Sequence, residues 1–385
     1  MPPKRKTKTS ILNPKVDIIG KEKGIYKFTL SNTNLSIANA IRRIILSEIP
    51  VFGMKETYNG KKMIHILENT SQFNNQILIQ RLGCIPVHID DIEKNVDNLL
   101  IELKVENTSN ELMYVTTNDF TIKQILDDDK IAGELSKKNV EKIFPNDPIT
   151  KDFILFSRLK PKITQDILGE KINLTVKLSK CKAYEDGRYN VVSVCAYGYT
   201  PDPVQIQNEE DKFEMELKNK NMTEETIEYE LTNWRNHTSK RYYKENSFDF
   251  QIENIGIYSN EKLLQLACNI MINKVNKVIN DVKTTKIPIK SENIALENSF
   301  DITLVNEDYT LGKVLEYILH YKYYLELGQL SYVGFLKPHP HDTDSIIRIA
   351  FKNKNVADKN DVYTMLLDTC DIAIKIFETI KAEFK

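Results

Sequence analysis

Charge of one sign, paired cysteines and long apolar runs are all missing from this chain. Its 385 residues carry 53 Lys+Arg against 54 Asp+Glu, a formal net charge of -1. Coating nucleic acid without sequence preference requires a large excess of Lys and Arg, so the balance argues against that class while leaving room for local basic patches. The five cysteines, Cys84, Cys181, Cys195, Cys268 and Cys370, are scattered, odd in number and form no CxxC pair. They read as thiols of a reducing compartment, and a zinc ribbon of the usual spacing is excluded. No apolar stretch is long enough to span a bilayer. Met1 to Lys8 has the charge of a signal peptide without the apolar run that should follow, so secretion is not expected. No Ser–His–Asp, Cys–His or P-loop arrangement is recognisable.

What is present is a globular composition, 41% hydrophobic and 28% charged. Bulk disorder is not expected, and a chain this long buries a core without disulfide or metal staples. Length suggests two to three domains at roughly 150 residues each. Asn, Lys and Ile are plentiful, which hints at an AT-rich genome.

Three zones differ in pattern. In the first, Tyr26, Phe28 and Leu30 alternate with polar residues, which predicts a half-buried strand. Asn34 or Ser36 can cap a helix from about Ile37 to Glu48, with Ile37, Ile41, Ile44 and Ile45 on one face and Pro50 as its stop. The middle zone holds strand-like runs at Met63–Leu67, Leu99–Val105, Ile172–Leu178 and Val191–Tyr197. Its charged run Asn208–Lys220 reads as a solvated loop, and Ile227, Leu231 and Trp234 predict a short amphipathic helix after it.

The last zone repeats the first. Phe248, Phe250 and Ile252 predict a strand, and a helix follows from about Asn260 to Asp281, with Leu264, Ala267, Met271, Val275 and Val278 on one face. The polar stretch Lys290–Asn298 reads as a linker. Phe300, Ile302 and Leu304 predict a strand, and Thr310 caps a helix bearing Leu311, Val314, Leu315, Ile318 and Leu319. Pro338-His339-Pro340 marks a turn, Ile347, Ile349 and Phe351 a strand, and the final helix runs from about Asp361 to Ala382.

An internal repeat is the most informative feature. At one constant offset Phe28 pairs with Ile302, Leu30 with Leu304, Asn32 with Asn306, Ile37 with Leu311, Ile41 with Leu315, Ile44 with Ile318 and Ile45 with Leu319. Any capped strand–helix pair has some likeness to another, but the shared Asn and the ungapped register point beyond chance. Two such units can bury their apolar helix faces against each other in a pseudo-twofold contact. Tying both into one chain raises their effective concentration to roughly millimolar.

At these residues the chain resembles a known family. The run Ser36-Ile37-Ala38-Asn39-Ala40-Ile41-Arg42-Arg43-Ile44-Ile45 is similar to the signature helix of the alpha-like assembly subunits of multisubunit RNA polymerases. These are the bacterial alpha subunit, the archaeal D subunit and the third-largest subunit of eukaryotic RNA polymerase II. Gln80-Arg81-Leu82-Gly83-Cys84-Ile85-Pro86-Val87 resembles the family's second motif. Asn306-Glu307-Asp308-Tyr309-Thr310-Leu311-Gly312, with Phe335–Pro340, resembles the smaller partner, the archaeal L or eleventh polymerase II subunit.

The resemblance implies an α+β fold in which both members of the family's heterodimer are fused. Residues 1–52 and 248–290 would form the first dimerisation module, 53–247 a β-rich insert, 291–298 a linker and 299–385 the second module. Such fusion is similar to what large cytoplasmic DNA viruses of eukaryotes carry, with host cytoplasm and virion as the setting, or the nucleus if the source is cellular. The implied function is a non-catalytic assembly platform. Its partners would be the largest and second-largest polymerase subunits and small subunits similar to the tenth and twelfth of polymerase II, with DNA contacted only through the complex. No cofactor is expected in this chain, and catalytic Mg²⁺ would lie in the largest subunit. Many eukaryotic and archaeal members carry a Cys cluster in the insert; here only Cys181 and Cys195 follow Pro86 before the second dimerisation strand.

The implied subunit contacts are Asn39, Arg42, Arg43, Arg81, Gly83 and Pro86, set against salt-bridged or capping roles for the same arginines. Gly83 is expected to permit a turn that Pro86 fixes. His339 and His341 lack a third ligand at sensible spacing, and Asp127-Asp128-Asp129 reads as a solvated run. Lys4-Arg5-Lys6 reads as a basic tail or a disordered end. Two other classes stay open on sequence alone: a standalone DNA-binding transcription factor, and a hydrolase or transferase in the middle zone.

Overall fold

Asn32 and Asn306, the shared residues of the repeat, both adopt left-handed backbone, with φ of 55° and 56°. Asn tolerates this region better than other residues with a Cβ, so each copy turns sharply from its strand into its helix. In the first copy the strand Ile25–Ser31 leads to helix α1 (Leu35–Ser47), and the Asn34 side chain accepts from the Ser36 N–H at 2.9 Å. In the second, the strand Ser299–Leu304 leads to a helix at Tyr309–Leu319. Asp308 accepts there from the Thr310 N–H at 2.9 Å, so Asp308 is the cap where Thr310 was expected. A π-helical turn, His320–Glu326, prolongs that helix.

The computed structural model describes residues 13–384 except 23, 94, 126–130, 165–167, 221, 293–295 and 353–357. Asp127–Asp129 and Lys4–Lys6 lie outside the described residues. Eight α-helices are present among those described: α1, α2 (Asn75–Gly83), α3 (Lys137–Ile143), α4 (Pro203–Asn219), α5 (Glu224–His237), α6 (Asn260–Lys283), α7 (Tyr309–Leu319) and α8 (Lys359–Glu383). The chain divides into two compact units.

The first unit comprises Met1–Ile45, Val194–Glu253 and Asn260–Lys385. It contains two four-stranded sheets of the same plan. One runs Lys15–Glu22, Ile25–Ser31, Tyr243–Asn254, Val192–Pro201; the other runs Ile289–Glu292, Ser299–Leu304, Ser345–Phe351, Leu330–Leu336. In each, a hairpin strand flanks the repeat strand on one side, and the strand before the long helix flanks it on the other. Phe28 lies opposite Phe250 in the first sheet, and Ile302 opposite Ile347 in the second. Alternation puts Tyr26, Phe28 and Leu30, and likewise Phe300, Ile302 and Leu304, into the core.

The predicted helix faces are buried: Ile37, Ile41, Ile44 and Ile45 on α1, and Leu311, Leu315, Ile318 and Leu319 on α7. The structure differs from the sequence reading at three places. Asn208–Lys220 is not a loop but nearly all helix α4, whose turns are tied by the pairs Lys212–Glu209 and Lys218–Glu214. Ile289–Glu292, partly inside the expected linker, is a strand, with Ile289 opposite Ile302. Val194–Ser247, expected within a β-rich insert, clusters with the first unit and carries the α4–α5 hairpin.

The second unit is Leu46–Ser193 with Asn254–Ser259. Its five-stranded sheet runs Ile131–Glu134, Thr121–Ile125, Leu99–Glu106, Lys171–Lys177, Ile64–Asn69. Ile101, Leu103, Ile122, Leu174 and Val176 from these strands meet Leu78 and Leu82 of α2 and Phe144 and Phe156 in one core.

Candidate subunit-contact residues and the seam between the two sheets

Helices α6 and α8 carry the longest apolar faces and pack against each other. Their faces match at a second constant offset: Leu264 with Leu366, Ala267 with Thr369, Cys268 with Cys370, Met271 with Ala373, Val275 with Phe377 and Val278 with Ile380, all buried. Burial pushes the Cys268 and Cys370 thiols up to about 12, so both are protonated packing groups. At the end of α8, Phe384 meets Phe28 of the first sheet edge-on, at 5.2 Å between ring centroids, and Phe28 stacks on Phe250 at 4.8 Å. Gln265 of α6 donates to the Phe384 carbonyl at 2.5 Å. The long helix that follows the second sheet therefore ends on the first.

Charged groups cross the same seam. The Arg43 guanidinium on α1 donates from Nη2 to Asp308 Oδ2 at 2.6 Å and from Nε to Thr310 Oγ1 at 2.8 Å. Burial opposes charge on Asp308, but the Thr310 N–H and the Arg43 charge outweigh it and hold the carboxyl below its ordinary value. Lys274 of α6 pairs with the buried Glu307 at 2.9 Å. Within the second half, Lys322 and Tyr323 of the π-helical turn both bond Asp368 of α8.

The residues singled out as subunit contacts fall into three groups. Asn39 and Arg42 lie together on α1, half-buried, with Asn39 Oδ1 accepting from Arg42 Nε at 3.1 Å and Nη2 at 2.9 Å. Arg43, one position on, is engaged with Asp308 and Thr310. Arg81 and Gly83 belong to α2. Arg81 donates to the carbonyls of Phe156 at 2.6 Å and Leu155 at 2.8 Å, beside the Phe73 ring. Both carbonyls belong to the strand Leu155–Leu159. Gly83 ends α2 and is not among the positive-φ glycines. A Cβ there would lie 2.5 Å from Arg188 Nη1, the end of a flexible side chain that can move aside. Pro86 follows two residues after the C-cap Cys84, where it cannot prolong the helix.

Asp308, Glu307, Lys274 and Phe384 were not read as site residues. Glu307 and Asp308 lie in the Asn306–Gly312 motif, and Asp308, Glu307 and Lys274 each carry a charge where the matching repeat position has none; Phe384 carries no such signal. His339 and His341 are engaged locally, the His341 N–H donating to His339 Nδ1 at 3.1 Å. Among the described residues no group of three or more His, Cys, Asp or Glu could hold a metal, and no helix is long and apolar enough to cross a membrane.

Residues 27–275 match the RNA polymerase Rpb3/Rpb11 dimerisation domain, a span of more than half the chain. The chain belongs to this family. Among curated relatives, it is 25% identical over 222 residues to the human DNA-directed RNA polymerases I and III subunit RPAC1, covering 53% of this chain and 60% of that protein. It is 23% identical over 314 residues to the Dictyostelium discoideum rpac1 subunit, covering 70% and 84%. It is 30% identical over 117 residues to subunit Rpo3 of Methanocaldococcus jannaschii, covering 30% and 47%. The chain thus spans about three-fifths of the human relative's length. The dimerisation-domain match ends within α6, and the second sheet, α7 and α8 lie beyond it.

Proposed function

We propose that this chain is a non-catalytic assembly-platform subunit of a DNA-directed RNA polymerase, built as an intramolecular pseudo-heterodimer. The observation that carries this is the pair of like-ordered sheets joined through α6 and α8 in one compact unit, in a chain of the Rpb3/Rpb11 dimerisation family. On this reading the first sheet with α1 and α6 is the larger partner, and the second sheet with α7 and α8 is the smaller one. The second unit is the insert of the larger partner. Fusion fixes their stoichiometry, and the pair arrives folded, so the large subunits do not bear the entropy of ordering it. Catalytic Mg²⁺ then belongs to the largest subunit. The setting is intracellular, and a viral source fits a fused gene.

Arg42 is the better docking candidate of the two adjacent arginines, because Arg43 is engaged within the chain. The test is co-purification of the tagged chain with the second-largest polymerase subunit. Arg42→Glu should reduce capture at least about tenfold, the effect of losing one interface hot spot, while the urea midpoint stays at the wild-type value. Undiminished capture would rule out this docking role. Mass spectrometry that finds no polymerase subunit with the wild-type chain would overturn the function itself.

A further inference from the structure

The two ion pairs across the seam are asymmetric with respect to the repeat. At the offset that matches Asn32 to Asn306, Arg43 corresponds to Tyr317, Asp308 to Asn34, Thr310 to Ser36 and Glu307 to Thr33. At the offset that matches α6 to α8, Lys274 corresponds to Ile376. Both cations thus belong to the first sheet's helices, and both anions to the turn that follows the second sheet's repeat strand. Neither charge has a counterpart at its matching position.

We propose that Arg43–Asp308 and Lys274–Glu307 form a pairing code that makes each half select the opposite kind and reject its own. Two first halves placed in the same twofold arrangement would set Arg43 against Asn34 and Ser36. Lys274 would face Thr33, which is fully buried. Symmetry doubles the mismatch, taking the Asp308 and Glu307 carboxylates away from two copies of each cation. Two second halves would set Asp308 against Tyr317 and Glu307 against Ile376, again twice. Glu307 and Lys274 are largely withdrawn from water, so separating them is disfavoured most, while Arg43 and Asp308, 34% and 32% exposed, add a smaller penalty; both terms select against the like-with-like arrangements. The placement of the apolar faces does not discriminate in this way, although matched side chains differ in size. The buried positions of α6 and α8 coincide along their length, and those of α1 coincide with those of α7 at Ile37/Leu311, Ile41/Leu315, Ile44/Ile318 and Ile45/Leu319.

The inference rests on the pseudo-heterodimer reading but not on the polymerase role, so its test uses this chain alone. One variant carries Arg43→Asp with Lys274→Glu, and a second carries Asp308→Arg with Glu307→Lys. Each alone places like charges across its own seam. Mixed, the first half of one variant complements the second half of the other, and the two remaining halves restore the wild-type pairs. After joint dilution from urea, light scattering should show a one-to-one complex of twice the chain mass. That complex should be at least about tenfold more abundant than any dimer of either variant alone, and wild type should stay monomeric. The chain with all four substitutions has complementary seams again. It should be monomeric with a urea midpoint above those of both twofold variants, short of wild type by about the 1 kcal/mol of the lost Asp308 cap, which guards against variants that merely fail to fold. If the fourfold variant is no more stable than the twofold variants, or if mixing yields no reciprocal dimer, the pairs do not encode partner choice. Failure to capture polymerase subunits would leave this result untouched.

Discussion

Asp308 caps α7 through the Thr310 N–H and receives Arg43 on its other oxygen. Asn keeps the cap and removes the charge, so Asp308→Asn isolates the ion pair. Because the carboxyl is held below its ordinary value in the fold, its stabilisation is fully present above the unfolded pKa of about 3.9. It is lost as pH falls through the folded value. The difference in urea midpoint between wild type and Asp308→Asn should therefore be constant from about pH 7 to 5 and shrink below about pH 4. A difference that persists unchanged in acid would mean that packing, not charge, is responsible. Gly312 gives a second residue-level prediction. Its repeat counterpart is Ala38, which is fully buried, yet a Cβ at Gly312 would lie 2.0 Å from the Phe335 ring. Gly312→Ala should lower stability by about 1–3 kcal/mol despite the better helix propensity of Ala, measured by urea unfolding. The likeness between copies was legible at both positions. The ring that forbids a methyl group in one of them was not, because Phe335 comes from a different strand.

Among the elements, α6 and α8 were readable because an apolar face repeating at helical period over 24 and 25 residues has no alternative explanation. Helix α4 was not, because its surface is mostly charged and only Leu217 is fully buried. It is held by local chemistry. Asp202 accepts from the N–H groups of Val204 and Gln205, Pro203 opens the first turn, and Arg235 of α5 bonds Glu210. The Asp202-Pro203 start signal was visible in the sequence, and charge density masked it. The strand Ile289–Glu292 was hidden for a different reason: it is four residues long, and the sheet's pairing defines it more than its own composition does. Asp202→Ala should cost about 1 kcal/mol and act locally. Hydrogen exchange should speed up in the first turn of α4, with the strands Ile25–Ser31 and Ser299–Leu304 unaffected. Exchange that accelerates throughout the first unit would show that the hairpin is integral to that unit's stability.

For the molecule as a whole, the seam is closed by residues far apart in the chain, which is why its apolar halves were legible and its polar contacts were not. Periodicity reports which face of a helix is buried. It does not report that Arg43 meets a carboxylate in the second copy, or that the end of α8 returns to the first sheet. Phe384 tests that return. It is almost fully buried, edge-on to Phe28, and its carbonyl takes the Gln265 amide. Val282 occupies the matching position of α6 and is also buried, with a smaller side chain. If each long helix secures the other copy's sheet in proportion to the apolar volume it inserts, Phe384→Ala should cost about 3–5 kcal/mol and Val282→Ala about 1–3 kcal/mol. The measurement is urea unfolding combined with amide exchange. Phe384→Ala should release protection first in Ile25–Ser31, the strand of Phe28, although that strand is remote in sequence. Should Phe384→Ala fall within the range of an ordinary surface substitution, about 0.5 kcal/mol, the contact at the end of α8 would not hold the two sheets together. The cohesion of the unit would then reside in the α6–α8 faces and the charged pairs.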